Sequence, residues 1–304
     1  MTTTALSPSS EVDRARAQRG YAYRAPDRTL DVEPHRIAYW REGRGPDLVF
    51  VHGWPLRAAT FRHMVARLSD SFTCHLLDLP GTGRTVTPPG AKVSFVGHAD
   101  VVRRAIDALG LSAYGLVAHD SGGFVARLVA ASDPRAKALV LSNTEIPHHH
   151  PWQLGLYVGL LRAPFGASAL RAVLRSRRLR RSSLAFGPCF TDPEYIEGEF
   201  FELFVRPLLD SADAANGQLR AMKSLSLGDL DGLDRVHARI TAPVRLIWGA
   251  RDTFFPLAKA RSMLPEFAGP ADLVEVPDGA LFVHEDRADE VAAHARAFLT
   301  GLLH

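Results

Sequence analysis

The stretch Tyr114-Gly-Leu-Val-Ala-His-Asp-Ser-Gly-Gly123 constrains this chain more than any other. Five apolar or small residues lead into a polar apex and then into the periodic apolar positions Val125, Leu128 and Val129. This is a buried strand passing through a sharp turn into a helix. Such a turn is tight enough to exclude large side chains two residues before and two residues after its apex. Ala118 and Gly122 meet that requirement when Asp120 is the apex. Placing Ser121 there would put His119 at the small position, so Asp120 is favoured over Ser121. A carboxylate presented in this way is suited to attack on an electrophilic carbon rather than to acyl transfer by a hydroxyl.

The rest of the chain supplies the sheet that such a turn needs. Strands are expected at Arg28–Val32, Arg36–Arg41, Asp47–Val51, Phe72–Asp78, Ala138–Ser142 and Val244–Gly249, with a last strand ending near Pro277. The short, continuously apolar runs among them fit strands covered on both faces. Helical spacing appears over Phe61–Leu68 and Val101–Leu109, the latter stopped by Gly110. Alternation of this kind predicts an α/β fold: a mostly parallel sheet with helices on both faces and a site along one strand edge. It lapses between Glu145 and about Arg239, where helical patterns and aromatic clusters replace strands. The expected organisation is a core of residues 21–145 and 240–304, a helical cap of 146–239, and a poorly ordered N-terminus of 1–20.

Bulk properties narrow the function classes. A formal charge of +3 over 304 residues gives no case for nucleic acid. The Arg171, Arg175, Arg177, Arg178, Arg180 and Arg181 cluster reads as a solvated helix face, with an acidic partner as the sharper alternative. No run is long and apolar enough for a membrane span or a secretory leader. Cys74 and Cys189, the only cysteines, have neither zinc nor disulfide spacing. The expectation is a cytoplasmic protein acting on a small molecule, without metal or cofactor.

These motifs together resemble the α/β-hydrolase superfamily over roughly residues 28–300, and within it the epoxide hydrolase and haloalkane or haloacetate dehalogenase branch. The resemblance implies that Asp120 attacks carbon and releases alkoxide or halide, after which a histidine-activated water hydrolyses the ester. It also implies an oxyanion hole from the backbone N–H groups of Trp54, after His52-Gly53, and of Ser121. The Trp54 indole is a candidate contact for the leaving group. Asp252 matches the usual place of the acid that orients the histidine, and Glu145 the place where dehalogenases carry it. The branch departs at one position. From Pro277 to Val291, Phe282, Glu285, Asp286, Arg287, Glu290 and Val291 all match, but Leu281 stands where the catalytic histidine belongs. His284, or one of His148, His149 and His150 at the cap entrance, is then the candidate base. His52, His119, Tyr157, Tyr195 and Leu281 are expected around the substrate, a cap tyrosine donating to an opening oxygen. Alternatives are a non-hydrolytic enzyme of specialised metabolism (cyclisation, elimination or isomerisation) and a binding protein on a dead scaffold.

Overall fold

In the computed structural model, which describes residues 20–303, eight strands form one sheet. They are β1 (Arg28–Val32), β2 (His35–Gly43), β3 (Asp47–Val51), β4 (Thr73–Leu77), β5 (Tyr114–His119), β6 (Ala136–Ser142), β7 (Val244–Gly249) and β8 (Ala271–Val276). Their order is β1-β2-β4-β3-β5-β6-β7-β8, antiparallel at β1/β2 and β2/β4 and parallel elsewhere. The disorder expected for 1–20 concerns residues that, apart from Gly20, lie outside the described ones.

Burial explains the elements. β4 and β5 are buried at every position, as a strand covered on both faces must be. Helices α1 (Arg62–Leu68) and α2 (Phe95–Leu109) cover the sheet with their apolar faces. α2 begins one helical turn and more before the periodicity placed it, because the Ser94 side chain accepts from Gly97 N–H and caps it. It stops at Gly110, which takes φ 70°. Helix α3 (Ser121–Ala130) leaves the Asp120 turn and packs against α2, β5 and β6.

The strand order reverses between β3 and β5. From β3 the chain crosses to β4 on one side; from β4 it returns to β5 on the other. Loops leaving the C-terminal ends of two such strands diverge and open a crevice, the usual place for a ligand in an open parallel sheet. The register pairs Val51 with Ala118, so the loop that begins at His52 lies beside the turn at Asp120. Between β6 and β7 every element among the described residues is a helix. These include α4 (Trp152–Arg162), α5 (Gly166–Arg175), α6 (Arg177–Arg180) and α7 (Ala212–Lys223). α4, α5 and α7 pack on one another, and residues of this insertion roof the crevice.

Candidate active site

Asp120 sits at the apex of the turn with φ 50° and ψ −138°, a backbone conformation rarely adopted by a residue with a side chain. The small neighbours are required by contact. A Cβ at Gly122 would overlap the Val51 carbonyl oxygen, and one at Gly123 the Thr144 hydroxyl. Trp54 N–H donates to Asp120 Oδ2 at 2.8 Å. Ser121 also bonds the carboxylate through its backbone N–H and its hydroxyl. Both expected oxyanion-hole donors therefore converge on Asp120. The Trp54 indole N–H is held by the Gln218 carbonyl at 3.0 Å, so this group faces the insertion rather than a leaving group.

Asp120 and Ser121 line a cavity of about 140 Å³ with Trp54, Glu145, His149, Tyr157, Cys189, Phe254 and Leu281 among its walls. That volume is close to an engineered apolar cavity of about 150 Å³ that admits benzene, so the cavity suits a compact hydrophobic ligand. Burial, and the Glu145 carboxylate beside it, hold the Asp120 carboxyl well above the usual range, against the pull of its hydrogen bonds. Burial raises Glu145 too, while Arg127 opposes the shift. Arg127 is fully buried at 3.6 Å from Glu145 Oε2 and donates to the Glu145 and Gly123 carbonyls and to the Thr144 hydroxyl. The Thr144 hydroxyl itself lies 2.8 Å from Glu145 Oε2 and 2.9 Å from the Asp120 carbonyl.

Leu281 is on the cavity wall and buried. His284, the expected substitute, is elsewhere. Its Nε2 meets the Thr60 hydroxyl at 2.7 Å behind the wall, and its ring packs on His119 at 4.0 Å between centroids. Neither ring lines the cavity. The reason is local: His284 is the second residue of the short helix Val283–Asp286, whose next residue, Glu285, bonds Thr60 and Arg62 inside the core. His119 Nε2 donates to the Leu281 carbonyl at 3.0 Å, so this ring buttresses the wall from behind. His52 likewise leaves the main cavity. Its Nδ1 donates to the Gly53 carbonyl and its Nε2 accepts from Leu79 N–H.

The other expected residues divide. Tyr157 does line the cavity, its phenol pushed up by burial and its ring stacked near Phe254. Tyr195 does not. Its hydroxyl is 3.1 Å from Glu285 Oε2, joining the insertion to the buried Arg62–Glu285 pair. Asp252 lies beneath the wall rather than in it. Its Oδ2 accepts from Asn143 Nδ2 at 2.7 Å and its Oδ1 from Phe254 N–H and Phe255 N–H. Burial without a cationic neighbour pushes it up to about 7. In the arginine cluster, Arg177 and Arg181 pair with Glu194, Arg180 with Glu197, and Arg171 with the Leu209 carbonyl. Glu194 and Glu197 thus offset two of the six charges of this cluster from within the insertion.

Two cavity residues were not singled out by spacing. Cys189 is a buried free thiol raised by burial and by the nearby Asp252 and Asp120 charges. His149, one of three adjacent histidines, is the imidazole that lines the cavity among the described residues. His148 and His150 turn outward to Asp231. No group of side chains among the described residues is arranged to hold a metal ion, and no helix there is long and apolar enough to cross a membrane.

A family model described as alpha/beta hydrolase fold matches residues 46–288. The chain belongs to the α/β-hydrolase family. Haloalkane dehalogenase 2 of Mycobacterium tuberculosis (strain ATCC 25618 / H37Rv) is 26% identical over 280 residues, spanning 89% of this chain and 94% of that one. The cis-3-alkyl-4-alkyloxetan-2-one decarboxylase of Shewanella oneidensis is 27% identical over 294 residues, covering 89% and 87%. Among solved structures, an epoxide hydrolase superposes with a TM-score of 0.75 at 21% identity, covering 90% of this α/β hydrolase and 98% of its own chain. This last likeness is one of fold.

Proposed function

We propose that this α/β hydrolase opens a carbon–oxygen or carbon–halogen bond of a small, neutral, hydrophobic substrate by attack of Asp120. The observation that carries the reading is the Trp54 N–H bond to Asp120 Oδ2 at 2.8 Å, in a largely apolar cavity. With Oδ2 held by Trp54 N–H, Oδ1 is the atom assigned to attack on carbon. Oδ2 then becomes the ester carbonyl oxygen already seated in the hole. When water adds to that ester, the oxyanion forms on Oδ2 and the same donors stabilise it, an effect of about 3 kcal/mol per donor. The two carboxylates, Asp120 and Glu145, disfavour anionic substrates. Tyr157, kept protonated by burial, is the candidate donor to a departing oxygen. An intact hole also argues against a scaffold that only binds.

A second, non-hydrolytic reading is favoured by one observation: the Asp120 carboxyl is raised by burial and by Glu145, beside a leucine rather than a histidine. A carboxyl in that state is suited to passing a proton in an elimination, isomerisation or ring fragmentation that consumes no water. The named reaction of the Shewanella relative, decarboxylation of a strained four-membered lactone, is of that kind.

One experiment separates the two. The protein is mixed with styrene oxide, 1-bromohexane or a cis-3,4-dialkyl oxetan-2-one in ¹⁸O-water under single-turnover conditions. The nucleophilic reading expects a mass adduct on Asp120, then one ¹⁸O in its carboxylate and none in the first product. Product formed without adduct and without oxygen from water or Asp120 supports the second reading. Unchanged turnover by Asp120→Asn refutes both.

A further inference from the structure

We propose that His149 is the base that releases the substrate from Asp120, and that Asp252 positions it through the loop Asp252–Phe255. This inference rests on the reading of Asp120 as nucleophile. His149 lies in the segment that leaves β6, four residues past Glu145, and its ring lines the same cavity as Asp120. Its Nε2 stands 2.8 Å from the Phe254 carbonyl oxygen. A carbonyl only accepts, so Nε2 carries the proton and Nδ1 carries the lone pair. That is the state a general base needs. The ring is held neutral by partial burial, with Lys259 and His150 adding to the effect.

The carbonyl that fixes this tautomer is itself fixed. Asp252 Oδ1 accepts from Phe254 N–H at 2.7 Å and from Phe255 N–H at 3.1 Å, and Asn143 Nδ2 anchors the other oxygen at 2.7 Å. Asp252 thus does through a peptide group what the acid of a histidine pair does directly: it orients an imidazole. The competing candidates are committed elsewhere. Glu145 takes the Thr144 hydroxyl and faces the buried Arg127 charge. Asp252 has three donors and does not line the cavity. His284 and His119 lie behind the Leu281 wall.

A water gives its proton to His149 Nδ1, and its oxygen bonds to Cγ of the Asp120 ester. The tetrahedral oxyanion rests on Oδ2 in the hole. Collapse breaks the Cγ–Oδ1 bond, and the proton on His149 passes to the departing oxygen. The alcohol leaves with the old Oδ1, and the oxygen from water, still holding its second proton, completes the Asp120 carboxyl group, which releases that proton to solvent to regenerate the carboxylate.

The test measures ester formation and ester decay separately by quenched intact mass, using styrene oxide and 1-bromohexane with the full-length protein. His149→Gln is expected to form the ester within about threefold of the wild-type rate and to lose it about 10²–10⁴-fold more slowly. Added imidazole should restore decay in His149→Ala, a rescue that a merely structural role would not give. Asp252→Asn, acting through the loop, should slow decay and move the midpoint of its pH dependence. Wild-type decay in His149→Gln, with the ester still forming, overturns the inference. Absence of any ester in the wild-type protein overturns the nucleophilic reading instead, and the role of His149 falls with it.

Discussion

A methyl group at Gly53 would separate the two half-reactions. Built on the backbone, it would stand 2.5 Å from Asp120 Oδ2, 2.6 Å from Asp120 Cβ and 2.8 Å from the His119 carbonyl oxygen. Ordinary contacts between such atoms fall near 3.5 Å, so the loop after β3 must retreat by roughly 1 Å. Trp54 N–H is the next donor along that loop. A retreat of that size takes its 2.8 Å bond beyond hydrogen-bonding range. The consequence has a direction. In ester formation negative charge leaves the carboxylate, so losing a donor leaves Asp120 no worse a nucleophile. In ester hydrolysis charge develops on Oδ2, and one missing donor costs about 3 kcal/mol, or about 10²–10³ in rate. Gly53→Ala should therefore form the Asp120 ester at close to the wild-type rate and hydrolyse it about 10²–10³-fold more slowly. Quenched intact mass resolves both rates, and a thermal melt confirms that the variant is folded. Hydrolysis within threefold of wild type, in a folded variant, would refute the hole as the source of stabilisation.

Three further outcomes concern stability. Asp120→Asn keeps an acceptor for Trp54 N–H but removes a carboxyl whose folded pKa is raised. Between the ordinary carboxylate range and that raised value the folded protein holds a proton the unfolded chain gives up, so stability falls as pH rises. The variant should gain melting temperature over wild type, and the gain should grow from pH 4 upward; a gain independent of pH would contradict this. Asp252, raised to about 7, carries the same sign over the window from about 4 to 7, worth on the order of 4 kcal/mol. Denaturant titrations of Asp252→Asn across that window should show a flatter pH dependence, and an unchanged slope would rule the group out as its source. Arg127→Met leaves the Glu145 carboxylate without its buried cation and strands the Glu145 carbonyl and His237 Nε2 in the core. A loss of about 3–5 kcal/mol is expected by chemical denaturation, and a loss under 1 kcal/mol would show that water relieves the site.

The order of residues specifies the sheet, the turn and the identity of the two N–H donors that meet Asp120. Each is encoded over a short span by a local constraint: continuous apolar runs at β3, β4 and β5, small residues at 118, 122 and 123, and a glycine at 110. The topology then brings Trp54 to Asp120, because register fixes where adjacent strand ends fall. The sequence also marked the mismatch at Leu281 and the cavity positions Glu145 and Tyr157. It did not decide which imidazole faces the substrate. His284 lies only three residues from Leu281, yet the buried Thr60, Arg62 and Glu285 network holds it behind the wall. His149 sits among three adjacent histidines with no distinguishing spacing. It is singled out by a carbonyl 105 residues further along the chain. Asp252 is legible as a carboxylate at the end of β7, but its partners Asn143 and the Phe254–Phe255 peptides are set by packing between loops. Side-chain direction in a loop depends on what surrounds it, and those surroundings exist only once the strands, the insertion and the last helix have come together.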